Sequence, residues 1–346
     1  MDSVASAPPP QLAQPDDERR STAIYGCPAT GSVGPKIFRE VYDGLGLPQH
    51  SYVAVDCESL KGDWEDAVAR PDYLGSCITI PHKLEAYTKV DYLTPEAKAC
   101  GCVNTMYLRP SSSAPSSGPL PGLLHVGTNT DVTAVHNVLL SSLLSTPSPF
   151  PSDAPRSFAP GKAAGFVIGG GGAVRAAVYA LSTLLNSSPI FILNRDPAET
   201  QAVVQHFPGV DLRPLTSIEQ TAQELEVLRA SGVSLVGGVG CVPSYEPKTD
   251  GEKRVYELAE LLFSEAYERP AGEEKGYLTI PQQPVFLDMA YKPRMTLLRV
   301  LAEKHSWTTV CGTEAVLENA FEQGKLWTGI DVPADVRTRA RNILEE

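Results

Sequence analysis

Apolar positions along the chain switch between short continuous runs and helical spacing. Ala23-Ile-Tyr-Gly26 predicts a short strand, and Pro35 then suits the first turn of a helix whose apolar face is Ile37, Phe38, Val41, Tyr42 and Leu45. Tyr52-Val-Ala-Val55 predicts a second strand. Cys77-Ile-Thr-Ile80 predicts a third, followed by a helix beginning near Pro81, and Val103 to Leu108 a fourth. Strand–helix alternation of this kind predicts an α/β domain with a largely parallel sheet. Two Pro- and Ser-rich stretches interrupt it, because Pro lacks the amide proton and fixes φ. Pro110 to Pro121 reads as a hairpin insertion, and Thr146 to Pro160 as a loop entering a new domain. Residues 1–20, rich in Pro, Gln and Asp and without periodicity, read as a disordered tail.

Beyond Pro160 the pattern sharpens. Ala164 to Ile168 is a buried-strand run that leads into Gly169-Gly170-Gly171-Gly172-Ala173, and a helix follows through Val174, Ala177, Val178 and Leu181. Ile190 to Leu193 is the next strand and ends at Asn194-Arg195-Asp196. This is a βαβ unit with a glycine turn at its first strand–helix junction. Glycines there let the backbone approach a pyrophosphate, whose charge sits at the helix amino terminus. A tight turn in any α/β protein would need one or two glycines, not four in a row.

Composition narrows the class. A length of 346 residues implies roughly two domains. The net charge of −12 argues against nucleic-acid or anionic-membrane partners, which require excess positive charge. No apolar run approaches the ~18 residues of a membrane span, and the start lacks the pattern of a secretion signal. A cytoplasmic protein is expected. The 7 cysteines include one close pair, Cys100 and Cys102, with no second cluster of ligands, so buried free thiols and no metal are expected.

At this point the chain resembles the shikimate and quinate dehydrogenase family, from about Ile24 to Arg341. Thr79-Ile-Pro-His-Lys83 is similar to that family's Thr-x-Pro-x-Lys segment. Val103-Asn104-Thr105 and Asn129-Thr130-Asp131 are similar to its Val-Asn-Thr and Asn-Thr-Asp segments. Val167 to Arg175 resembles its nucleotide turn, and Leu326-Trp327-Thr328-Gly329 its closing Leu-Trp-x-Gly. The resemblance implies an α/β substrate-binding domain of residues 21–132 plus 313–346, a Rossmann-type nucleotide domain of residues 133–312, and an active site in the cleft between them. It implies Lys83 and Asp131 as the catalytic pair, and Ser32, Thr79, Asn104, Tyr291 and Asn319 as substrate-binding residues. The implied cofactor contacts are Gly169, Gly170, Gly171, Gly172, Ala173, Asn194, Arg195, Asp196, Met289 and Gly312.

The chemistry suits the pair. Oxidising a secondary alcohol sends a hydride to a nicotinamide while the hydroxyl loses a proton, so a group within hydrogen-bond reach must accept it. A lysine can do so if burial lowers its pKa, whereas a neighbouring carboxylate pulls the other way and orients it. Either side chain alone could be ordinary, Lys83 as a solvated helix-start residue and Asp131 as a helix N-cap. Departures from the family pattern gather on the substrate side. Its Ser-x-Ser is here Ser32-Val33-Gly34, an Asn two positions before Thr79 is Cys77, and a Gln in the closing helix is Asn319. These leave the reaction type intact and the substrate open between quinate, shikimate and a modified ring.

For the cofactor, Arg195 could clamp a 2′-phosphate and favour NADP. Asp196 and Glu199 would repel that phosphate and could accept bonds from a free ribose hydroxyl, which favours NAD. The expected partner is a small cyclic hydroxy acid, and the expected assembly a monomer or homodimer. A reading of a different class, a catalytically silent metabolite-sensing regulator, would keep the cleft but needs neither Lys83, Asp131 nor the glycine turn.

Overall fold

A computed structural model gives the fold of residues 19–111, 121–265 and 275–344. Two compact units result. One is made of the described residues up to Asp131 and from Val316 onward, the other of Val132 to Ala315. The chain passes from one to the other within the helices Thr130–Leu144 and Gly312–Thr328. No helix among the described residues is long and apolar enough to cross a membrane.

The first unit holds a sheet of β1 (Ser21–Gly26), β2 (Ser51–Asp56), β3 (Tyr73–Ile78), β4 (Tyr92–Leu93), β5 (Thr105–Pro110) and β6 (Leu123–Thr128), in the order β2-β1-β3-β5-β6-β4. β1 pairs in parallel with β2 and β3, and β4 with β6, but β5 runs antiparallel to both β3 and β6. The sheet is therefore mixed, where the alternation alone pointed to a largely parallel one. β5 and β6 form an antiparallel pair in register from Thr105↔Thr128 to Pro110↔Leu123, a pairing that needs no crossover between them. Residues 112–120, within the insertion read as a hairpin, lie outside those described.

β3 starts earlier than its apolar run and ends at Ile78, which leaves Thr79 just past the strand. Gly75 and Ser76 look like strand breakers in the sequence, yet both are buried inside β3. The glycine is required by packing. A Cβ at Gly75 would come within 2.1 Å of Trp327 Nε1 and 2.6 Å of the Met106 carbonyl oxygen. The Trp327 indole N–H donates to that same carbonyl at 2.9 Å, and its ring packs against Phe38 and Tyr52. Phe38 belongs to the helix Gly34–Gly44, whose buried residues Ile37, Phe38, Val41 and Tyr42 are those its periodicity marks. The helix expected near Pro81 is a single turn, Lys83–Ala86.

The second unit contains β7 (Ala163–Ile168), β8 (Ile190–Leu193), β9 (Leu212–Pro214), β10 (Ser234–Gly240), β11 (Val285–Asp288) and β12 (Thr308–Cys311). Their order is β12-β11-β10-β7-β8-β9, with every neighbouring pair parallel. This is the doubly wound order, in which the strand sequence reverses between β7 and β10. Every residue of β7, β8, β10 and β11 is buried, as helices on both faces require. The period of two assigns the faces. Val167, Ile190 and Ile192 join one apolar cluster, and Phe166, Ile168, Phe191 and Leu193 the other.

Gly75→Ala should destabilise the first unit by ~1–3 kcal/mol through overpacking against Trp327 and the β5 backbone. Denaturant unfolding followed by tryptophan fluorescence measures it, and an unchanged midpoint would contradict this packing.

Candidate active site

β3 and β6 flank β5 and are both antiparallel to it, so their carboxyl ends lie at the same end of the sheet. Lys83 opens the one-turn helix that follows β3, and Asp131 lies in the first turn of the helix that follows β6. The topology thus brings together two residues 48 positions apart, and Lys83 Nζ donates to Asp131 Oδ2 at 2.5 Å. Their side chains are only 14% and 6% exposed, so this is a buried ion pair and Lys83 is no solvated surface lysine. Nor does the Asp131 carboxylate serve as the helix cap. Asn129 takes that duty, its Oδ1 accepting the Asp131 backbone N–H at 3.1 Å.

The second Asp131 oxygen, Oδ1, accepts from Asn319 Nδ2 at 2.9 Å. Asn319 Oδ1 in turn accepts from the Thr130 hydroxyl at 2.6 Å and from Asn104 Nδ2 at 3.3 Å. Asn104 Oδ1 accepts the Thr130 backbone N–H at 2.7 Å and the Thr105 hydroxyl at 2.9 Å. Gln323, one turn beyond Asn319, donates to Thr105 Oγ1 at 2.9 Å. Sequence reasoning passed over Gln323, although its i+4 spacing from Asn319 puts both on one helix face. Burial pushes the Lys83 ammonium down, but the charge and hydrogen bond of Asp131 outweigh it and hold Lys83 above the ordinary lysine value.

Around this pair the expected substrate residues divide. Thr79 follows β3 as a half-buried residue. The Ser32 hydroxyl accepts the Gly34 backbone N–H at 3.1 Å. A Cβ at Gly34 would lie 2.9 Å from the Tyr52 ring, so Tyr52, absent from the expected set, fills the space a second serine would need. Burial raises the half-exposed Cys77 thiol, against the hydrogen bonds it shares with Gln323 and Tyr52. Tyr291 belongs to the second unit, where Lys292 Nζ sits 5.7 Å from its ring centre and burial, then Cys311, raises its hydroxyl.

The second unit carries a pocket at the carboxyl ends of β7 and β8. Gly169, Gly170, Gly171, Asn194, Arg195 and Glu199 line one part of it, and residues 241–256 after β10 supply much of the rest. Gly169 has φ +124°, which favours glycine. A Cβ at Gly170 would strike Asn194 Nδ2 at 2.4 Å and Glu199 Oε2 at 2.6 Å, while the space around Gly171 is open. No side chain caps the helix Gly172–Tyr179, so its positive end faces outward past bare glycines, a cradle that fits a pyrophosphate.

Gly172 and Ala173 start that helix without lining the pocket. Asp196 caps the helix Pro197–His206, accepting from Ala198 N at 2.8 Å and Glu199 N at 3.3 Å. Met289 and Gly312 lie against each other elsewhere, since a Cβ at Gly312 would come within 2.3 Å of the Met289 carbonyl oxygen. Glu252 escaped the sequence reading although Thr249-x-x-Glu252 carries the capping-box pattern before a helix.

Residues 24–106 match the family model for the shikimate dehydrogenase substrate binding domain. The chain is 29% identical over 340 residues to the quinate dehydrogenase of Emericella nidulans, covering 93% of this chain and 91% of that one. The chain is therefore similar to shikimate and quinate dehydrogenases over nearly its whole length. Among solved structures it is similar to the dehydroquinate dehydratase and shikimate dehydrogenase of S. pombe, at 27% identity and a TM-score of 0.66. That match covers 94% of this chain and 53% of the S. pombe chain, so the chain spans about half of that relative's length. The shikimate 5-dehydrogenase of Listeria monocytogenes, solved with shikimate and NAD, shares the fold at 20% identity and a TM-score of 0.64, over 94% of this chain and 96% of its own.

The buried pair should leave a pH signature in stability. Because the folded-state value of Lys83 is raised, its contribution is fully present below the unfolded lysine value of ~10.4 and is lost as pH rises through the higher folded value. Lys83→Met should therefore cost ~3 kcal/mol near pH 8, and the gap to the wild type should narrow as pH rises past the unfolded value and through the folded one. Urea unfolding across a series of pH values from 8 upward tests this. A gap that stays constant would mean that the pair does not couple to folding.

Proposed function

We propose that this chain is a nicotinamide-dependent dehydrogenase that reversibly oxidises a ring hydroxyl of a quinate- or shikimate-like cyclic hydroxy acid. The observation that carries this reading is the buried Lys83–Asp131 pair, with its amide and hydroxyl network, in the unit whose residues 24–106 match the substrate-binding domain model. The glycine cradle of the second unit, with Asn194 and Arg195 beside it, would hold the dinucleotide. When bound, its nicotinamide takes up the hydride in oxidation and returns it in reduction.

The residues of the chain handle the proton. Lys83, raised by Asp131, is an ammonium in the resting protein, and one of its three donors is committed to Asp131 Oδ2. In reduction it hands a proton to the developing alkoxide. In oxidation it must first be neutral, and its Nζ then accepts the hydroxyl proton as the carbon–hydrogen bond gives up its hydride. Asp131 fixes the amine in place, and Asn319 fixes Asp131. Ser32, Thr79 and Asn104 offer hydroxyl and amide groups to a polyhydroxylated carboxylate.

Within this reading quinate is favoured over shikimate, supported by the full-length likeness to a quinate dehydrogenase and by the altered positions Gly34, Cys77 and Asn319. NAD is favoured over NADP, supported by Glu199 in the pocket wall and by Asp196, the cap of the helix that follows β8.

Initial rates with quinate and shikimate, each with NAD and NADP, test the proposal, and the highest rate is expected for quinate with NAD. Lys83→Met should lower kcat by ~10²–10⁴-fold while nucleotide binding survives. Asp131→Asn leaves burial as the main influence on Lys83, so the alkaline limb of the oxidation rate should move to lower pH. Folded protein with no rate in any combination would refute this assignment.

A further inference from the structure

The pocket beside the glycine turn holds one guanidinium, Arg195, among carboxylates at Glu199, Glu246 and Glu252. Glu252 is the best fixed of these. Its Oε2 accepts the backbone N–H groups of Lys248 at 2.9 Å and Thr249 at 3.0 Å, while Thr249 Oγ1 accepts the Glu252 N–H at 3.2 Å. This reciprocal capping box opens the helix Asp250–Phe263 and ties the carboxylate to the pocket rim. Its other oxygen, Oε1, accepts from Arg195 Nη1.

We propose that Glu252 selects the coenzyme, its anchored carboxylate claiming the Arg195 guanidinium and setting negative charge where the 2′-phosphate of NADP would seek that cation. The inference rests on the reading of this pocket as a dinucleotide site. Arg195 alone could not make the selection. Its side chain is 64% exposed, and an exposed ion pair holds such a side chain only weakly. Were Arg195 to swing away, the carboxylate would remain, because its position depends on the backbone of residues 248 and 249. A 2′-phosphate carries about −1.5 to −2 charges at neutral pH and would meet that fixed charge with its cation already engaged. A dinucleotide with a free 2′-hydroxyl meets no such repulsion.

Glu252→Gln separates charge from structure, because glutamine can accept the same capping bonds. Calorimetric dissociation constants for NAD and NADP would be measured on the full chain, for the wild type, E252Q, R195A and the double variant, with thermal unfolding run beside them. The wild type should bind NAD more tightly. In E252Q the ratio of the NADP constant to the NAD constant should fall by ~10-fold or more, and adding R195A should cancel most of that fall. An E252Q ratio within about twofold of a wild type that binds NAD would overturn the role of Glu252 and leave the nucleotide site standing. A folded wild type that binds neither nucleotide would overturn the site itself, and this inference with it.

Discussion

An ammonium and a carboxylate taken out of water together each lose a hydration shell worth several kcal/mol, and their attraction repays this only where the remaining polar atoms are also satisfied. Lys83 and Asp131 impose that demand on the first unit. Much of what surrounds them answers it: Asn319 on the free carboxylate oxygen, Thr130 and Asn104 on Asn319, and Gln323 behind Thr105. The strand order answers it too. With β5 antiparallel between β3 and β6, the lysine after one flanking strand and the aspartate after the other meet at one end of the sheet. A wholly parallel sheet would place the residues after β5 at that end as well.

The second unit is governed by a different constraint. A parallel sheet covered on both faces must be buried throughout, and β7, β8, β10 and β11 are, with polar residues only at strand ends, Ser234 opening β10 and Asp288 closing β11. Polar function is therefore confined to the strand ends, where the order reverses between β7 and β10. The glycines there are set by close approach, with Gly170 pressed by Asn194 and Glu199. The charge of the pocket comes from its rim, where Glu252 serves a helix cap and an ion pair at once.

Departures from the family pattern become physical in the structure. Gly34 in place of a serine is matched by Tyr52, whose ring occupies the space a side chain at 34 would need. Asn319 in place of a glutamine still reaches Asp131. Asp196, whose carboxylate suggested a ribose contact, also caps its own helix. The Asp196 cap is local, to residues two and three positions on, but the ties of Gly34 to Tyr52 and of Asn319 to Asp131 join separate parts of the chain, which no local pattern records.

The sequence by itself determined the α/β class, the apolar face of the helix Gly34–Gly44 and the glycine turn after β7, while Lys83 and Asp131 became candidates through resemblance to a known family. Those features follow from local periodicity, backbone permissiveness and short motifs, all of which a linear reading contains. Only the tertiary structure decided that the first sheet is mixed, that Gly75 lies inside a strand to admit Trp327, that Asn129 and not Asp131 caps its helix, and that Arg195 is engaged by Glu252. Strand pairing, the volume of one indole ring and the pairing of charges 57 residues apart are long-range relations, fixed by what packs against what.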